Sequence, residues 1–219
     1  RYGTPVVYVH KLAQDFRYLA HNSMIGTDLD SCTHHWATQG LNYYVAARLH
    51  WNPDLDVDAV VDDYCQSGFG DSADSVKRYF MRIEELTNEI AAASPALHPT
   101  TPYTSEVIEQ LRSILDEADR EASAPKPRAR IAFLRRGLEY TEVHASAYHL
   151  LAEFDEGGRK MTPELKMRVH ATLNQNWELS REILLKDFKA INVSRVAWGG
   201  WGNFNRLGWK SPTAPKVVK

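Results

Sequence analysis

Three groups of side chains in this 219-residue chain have types and spacings that could do chemistry. Cys32, His34 and His35 stand close together, but a zinc site normally needs more ligands at short spacing, and Cys65 has no Cys or His beside it. No metal site is assigned. Two cysteines this far apart fit free thiols or one disulfide. Asp62 and Asp63 look like a carboxylate pair. Neighbours on a helix diverge by roughly 100°, so they read as a solvated face rather than a glycosidase pair. Near the end, Trp198, Trp201, Phe204 and Trp209 alternate with glycines and asparagines. Flat rings on such a backbone suit a sugar platform, and equally an anchor that ties a tail down by burying large rings. Ser67 lacks a Gly-x-Ser-x-Gly frame and Gly199-Gly200 is too little for a phosphate loop, so no cofactor is expected.

These residues must be positioned by the elements around them. Residues 5–9, Pro-Val-Val-Tyr-Val, are β-branched and apolar with no alternating polar face, which predicts a strand buried on both sides. Leu12, Phe16, Leu19 and Ala20 have the spacing of a short helix, Met24 to Thr27 reads as a second strand, and a helix is expected from 34 to 50. The fold class expected is mainly α: a helical bundle following a short β-α-β-α piece. Two unpaired sheet edges are seldom tolerated, so the missing strands belong to an absent amino-terminal part or a partner chain. The opening on Arg1 rather than Met is read the same way.

After Trp51, Asn52-Pro53-Asp54 breaks the backbone, since proline cannot continue the helical ladder. Asp56 or Asp58 caps the next helix, with Val57, Val60, Val61 and Tyr64 on its apolar face. Gly68 and Gly70 free its exit and let Phe69 plug inward. Asp71 or Ser72 starts another helix, which runs to about Ile90. Prolines then separate helices at about 105–122 and 127–154, and Thr162-Pro163-Glu164 opens a last one. Four long helices with modest connections predict antiparallel packing. The divisions expected are 1–54, a helical domain at 55–193 and an aromatic, glycine-rich tail at 194–219.

Hydrophobic residues make up 43% of the chain, which is enough for a substantial core. The 26 Lys and Arg against 28 Asp and Glu leave no field that would gather nucleic acid or an anionic membrane, and neither is expected as a partner.

The stretch from His35 to Phe80, with Leu49-His50-Trp51-Asn52-Pro53-Asp54, Asp56-Val57-Asp58, Phe69-Gly70 and Lys77-Arg78-Tyr79-Phe80, resembles the C-terminal part of a bacterial domain-of-unknown-function family related to glycoside hydrolases. More distantly it resembles alpha-glucuronidases and beta-hexosaminidases. The match is clearest over residues 5–90. The resemblance implies a large, usually exported, carbohydrate-active TIM barrel followed by helices, with residues 5–50 as its last units. The catalytic pair would then lie outside this chain, on earlier strands. What remains would be mainly scaffolding, in a secreted or periplasmic protein whose partners are a polysaccharide or oligosaccharide and the rest of the barrel. A helical carbohydrate- or protein-binding module without catalytic activity is the alternative. Under the resemblance Asp28, Asp30, His34, His35 and Trp36 would line a sugar site, with His10 at the end of the first strand. Asp30 or Ser31 capping a helix, and Trp36 packing beneath the barrel, explain the same residues structurally.

Overall fold

The computed structural model describes residues 3–27, 34–93, 98–193 and 204–209. Seven helices follow in chain order: α1 (Val9–His21), α2 (Trp36–Trp51), α3 (Val57–Phe69), α4 (Ala73–Ala93), α5 (Ser105–Glu121), α6 (Pro125–Glu156) and α7 (Pro163–Lys186). Short 3-10 turns at Gly70–Ser72 and Asn205–Leu207 complete them. The mainly helical expectation holds. The β-α-β-α piece does not, because the described residues contain no strand, and with it goes the barrel end.

Residues 4–8 nonetheless lie largely buried outside any regular element, and Val7 belongs to the core. Their backbone is satisfied by side chains instead of a neighbouring strand. Gln39 donates to the Thr4 carbonyl (3.3 Å), the Tyr103 hydroxyl to that of Pro5 (2.6 Å) and the Asn42 amide to that of Val6 (2.6 Å). The Val7 and Tyr8 amides donate to Thr87 Oγ1 (3.3 Å) and Asn42 Oδ1 (3.2 Å). Val9 then starts α1, so His10 lies in the first turn of a helix and ends no strand. At the second predicted strand Ile25 is wholly exposed and no ladder forms.

Side-chain caps mark three of the helix starts. Asp56 accepts from the Asp58 amide at the start of α3, Thr104 from Val107 at α5 and Thr162 from Leu165 at α7. Asp71 and Ser72 are engaged elsewhere, Asp71 by Ser123 and Ser72 by the Ala118 carbonyl (2.6 Å), so the 3-10 turn leads into α4. Gly70, at φ 55°, makes that exit possible, and Phe69 is buried beside it. Cys65 is a free, buried thiol whose pKa burial pushes up to about 12; Cys32 lies outside the described residues.

One apolar core joins α1 to α5 with the first half of α6. A second, from Ala147 onward, joins the end of α6 to α7 and the segment 204–209. Gly137 brings α6 close to α2: a Cβ there would sit 2.9 Å from Ala37 Cβ and 3.0 Å from Thr38 Cγ2. No helix among the described residues is long and apolar enough to cross a membrane.

Two substitutions check this packing by urea denaturation. Asn42→Leu strands two part-buried backbone groups and should cost about 1–3 kcal/mol in all; no measurable loss would mean residues 4–8 are not held as described. Gly137→Ala gains up to about 1 kcal/mol of helix propensity but overpacks the α2–α6 crossing at about 1–3 kcal/mol, so net destabilisation is expected.

A candidate functional site on helix α2

The structure disperses the residues singled out by sequence. Asp28, Asp30, Trp198 and Trp201 lie outside the described residues. The others fall in three places.

His10 sits where α1 meets α3 and α4. Its backbone amide donates to Glu84 Oε1 (3.0 Å), its Nδ1 lies 2.6 Å from Glu84 Oε2, and its Nε2 lies 3.3 Å from Asp58 Oδ1. Tyr8, at the N-cap position, makes no side-chain cap, so the buried Glu84 carboxylate does that work from another helix. Burial opposes the imidazolium, but the hydrogen bond and charge of Glu84, joined by those of Asp58, outweigh it and raise the His10 pKa above the ordinary value. A carboxylate–imidazole pair could serve as half of a catalytic triad. Here the second nitrogen faces another carboxylate instead of a nucleophile.

His34 and His35 precede α2. His34 is exposed, with φ 62°. His35 is buried, and its Nδ1 accepts the Asn192 amide (3.1 Å), which puts the proton on Nε2. In return the segment after α7 satisfies the free amides of α2: Trp36 donates to the Lys189 carbonyl and Ala37 to that of Ala190, both at 3.1 Å. That strap fixes Trp36, whose ring is 44% exposed and meets Tyr43 edge-on with centroids 5.0 Å apart. Tyr43 and Trp51 follow at seven- and eight-residue steps, roughly 10–12 Å each along the axis, and within about 80° of one another around it. Trp51 is 92% exposed. One side of α2 therefore carries an aromatic strip on a rigid element.

Trp209 is buried at 3% exposure, donates from Nε1 to Asn174 Oδ1 (3.1 Å) and lies 6.4 Å from the Trp177 ring.

Residues 2–81 match the model of a family described as a domain of unknown function, DUF4838. The matched span runs from the buried amino-terminal segment through α1, α2 and α3 into α4, and includes the strip. The match itself carries no link to glycoside hydrolases. No curated protein and no solved structure matches the chain.

Chemically, the exposed part of the site presents flat, partly apolar rings. Asp62 pairs with Lys77, and Asp63 with Tyr44, Arg48 and Ser67, so the two carboxylates diverge as their spacing requires. Among the described residues no three His, Cys, Asp or Glu could hold a metal ion.

One polar cluster escaped the sequence reading. His144 is fully buried between α6 and α7, where its Nδ1 lies 3.3 Å from the Asn176 amide and 3.4 Å from the Tyr140 hydroxyl. Its ring stacks on Tyr140 and meets Tyr148 edge-on; His98 stacks on the other partner, Tyr148, at 3.8 Å. The four-residue spacing of Tyr140, His144 and Tyr148 was the available signal.

Burial lowers the pKa of His35 and His98 to about 4 and that of His144 to about 3, helped at His35 by His34 and at His144 by His98. These groups are neutral in the fold, so the unfolded chain takes up their protons first. Their contribution is intact above the ordinary value of 6.5 and is lost as the pH falls from there through about 4. Urea midpoints should drop across that window. His144→Gln, which cannot titrate, should show a slope smaller by about 1.4 kcal/mol per pH unit; equal slopes would mean His144 is not held neutral.

Proposed function

We propose that this chain is a helical, mainly scaffolding portion of a carbohydrate-active protein, and that the aromatic strip of α2 is the surface it offers to a polysaccharide or oligosaccharide. The observation that carries this reading is the contrast in how its rings are used. Trp36 and Trp51 are exposed on one side of α2, whereas Trp209 is buried against α7. Flat, partly apolar rings fixed on a helix suit the faces of pyranose rings, because little side-chain freedom is lost when they are covered. The scaffolding half follows from the fate of the candidate catalytic groups: His10 is committed to Glu84 and Asp58, and His35 to Asn192. Catalysis would then fall to residues elsewhere in the protein, and an exported location accompanies the reading.

A second reading, a protein-binding helical module, is favoured by one observation. At the end of α1 and in the turn after it, Tyr18, Leu19 and Ile25 are exposed apolar groups, and His50 of α2 joins them there through Phe16 and Thr27.

Affinity electrophoresis through a panel of soluble polysaccharides separates the two. Retention by at least one polysaccharide is expected, and the Trp36→Ala/Trp51→Ala double variant should lose at least tenfold in affinity, about 1.4 kcal/mol. Unretarded migration of the wild type in every gel, or equal retention of the variant, would sink the sugar surface. Substantial hydrolysis by the isolated chain would sink the scaffolding role instead.

A further inference from the structure

The contact of His10 with two carboxylates has a requirement that geometry alone imposes. Both ring nitrogens face acceptors: Nδ1 lies 2.6 Å from Glu84 Oε2 and Nε2 lies 3.3 Å from Asp58 Oδ1. A carboxylate is an acceptor only, and a neutral imidazole has one N–H. Only the doubly protonated ring satisfies both sides. With Nδ1–H kept on the buried Glu84, deprotonation leaves the Nε2 lone pair against the Asp58 oxygen, acceptor against acceptor.

We propose that His10 is a proton-operated latch that fastens the start of α1, and the buried segment before it, to the α3–α4 pair. With the proton on, the imidazolium bridges Glu84 of α4 and Asp58 of α3 at the point where residues 4–8 pass into α1. With it off, the α3 side releases and α1 is held by Glu84 and by apolar contact alone. The surrounding charges do not supply a substitute. On α4, Lys77 feels the charge of Asp58 but gives its hydrogen bond to Asp62. On α1 itself, Lys11 is paired with Asp15. From α2 comes the neutral Asn42, which holds Val6 and Tyr8. The latch is also reachable, since the His10 side chain is 42% exposed while Glu84 is 7% exposed, so protons exchange without unfolding. The raised pKa of His10 has the sign this requires: closure is favoured below its titration and lost as the pH rises through it.

Hydrogen exchange on the full chain, corrected for the intrinsic rate at each pH, tests the latch. In the wild type, protection of amides 7–12 should fall several-fold as the pH is raised through the His10 titration, while α6 and α7 amides stay unchanged. Asp58→Asn can donate to the neutral ring, so it should keep the fold and flatten the pH dependence. Nitrogen-15 shifts of the wild-type ring give a readout that needs no variant: both nitrogens should be protonated together below the His10 titration, which should lie above the ordinary imidazole value. A ring that titrates at or below that ordinary value, an unaltered pH dependence in Asp58→Asn, or loss of protection spread evenly over all helices would each overturn the proposal.

Discussion

A short irregular segment buried among helices has to find partners for its backbone, and here that constraint decides how the amino-terminal half is arranged. Leaving buried amides and carbonyls unpaired costs about 1–3 kcal/mol each, which a marginally stable domain cannot absorb several times over. Residues 4–8 meet the demand with side chains drawn from α2, α4 and the connection before α5. Because those partners come from distant parts of the chain, each bond also fixes the spacing between its parent elements. Asn42 is central, since its one amide group serves both Val6 and Tyr8. Glu84 extends the arrangement by capping α1 where Tyr8 does not.

The same segment shows where a sequence can and cannot be read. Its buried character is legible in the run of β-branched residues. Its pairing is not, because apolar periodicity reports burial and says nothing about whether a backbone partner is another strand or an asparagine 36 residues away. The inference of missing sheet neighbours failed at that step, and the barrel end failed with it. Helices were far more legible. The apolar stripe and the caps at Asp56 and Thr162 act locally, so α3 and α7 lie close to their expected positions. Asp71 and Ser72 misled because a residue with cap chemistry can be claimed by a distant partner, here Ser123 and the Ala118 carbonyl. At the candidate site, sequence picked out Trp36 but not its neighbours Tyr43 and Trp51 as a strip. Their exposure depends on which faces of α2 the neighbouring elements cover.

Helix α6 links the two larger cores and also contributes Tyr140 to a third, smaller cluster with Ile183, Ile191 and Val193. The first ends at Ala145 and the second begins at Ala147, with His144, Asn176 and Ser180 forming a polar layer at the junction. Such a layer stabilises little against an apolar replacement, but it penalises any sliding of α7 along α6 that would separate His144 from Asn176. The position of α7 along α6 in turn sets where residues 187–193 emerge.

That position reaches the aromatic strip through the strap. Lys189 and Ala190 accept the first amides of α2, and Asn192 is held by His35, so the end of α2 that carries Trp36 depends on the second half of the chain. The other end depends on the first half, where Phe16 and Thr27 hold His50 next to Trp51. A strip pinned at both ends loses little backbone entropy when something flat settles on it, because the helix that carries the rings is already ordered. An exposed tryptophan on a loop would have to be ordered at the moment of contact. The bond from Asn192 to His35 and the amides of Trp36 and Ala37 on Lys189 and Ala190 are therefore part of what holds α2 in place, whereas His10 ties α1 to α3 and α4.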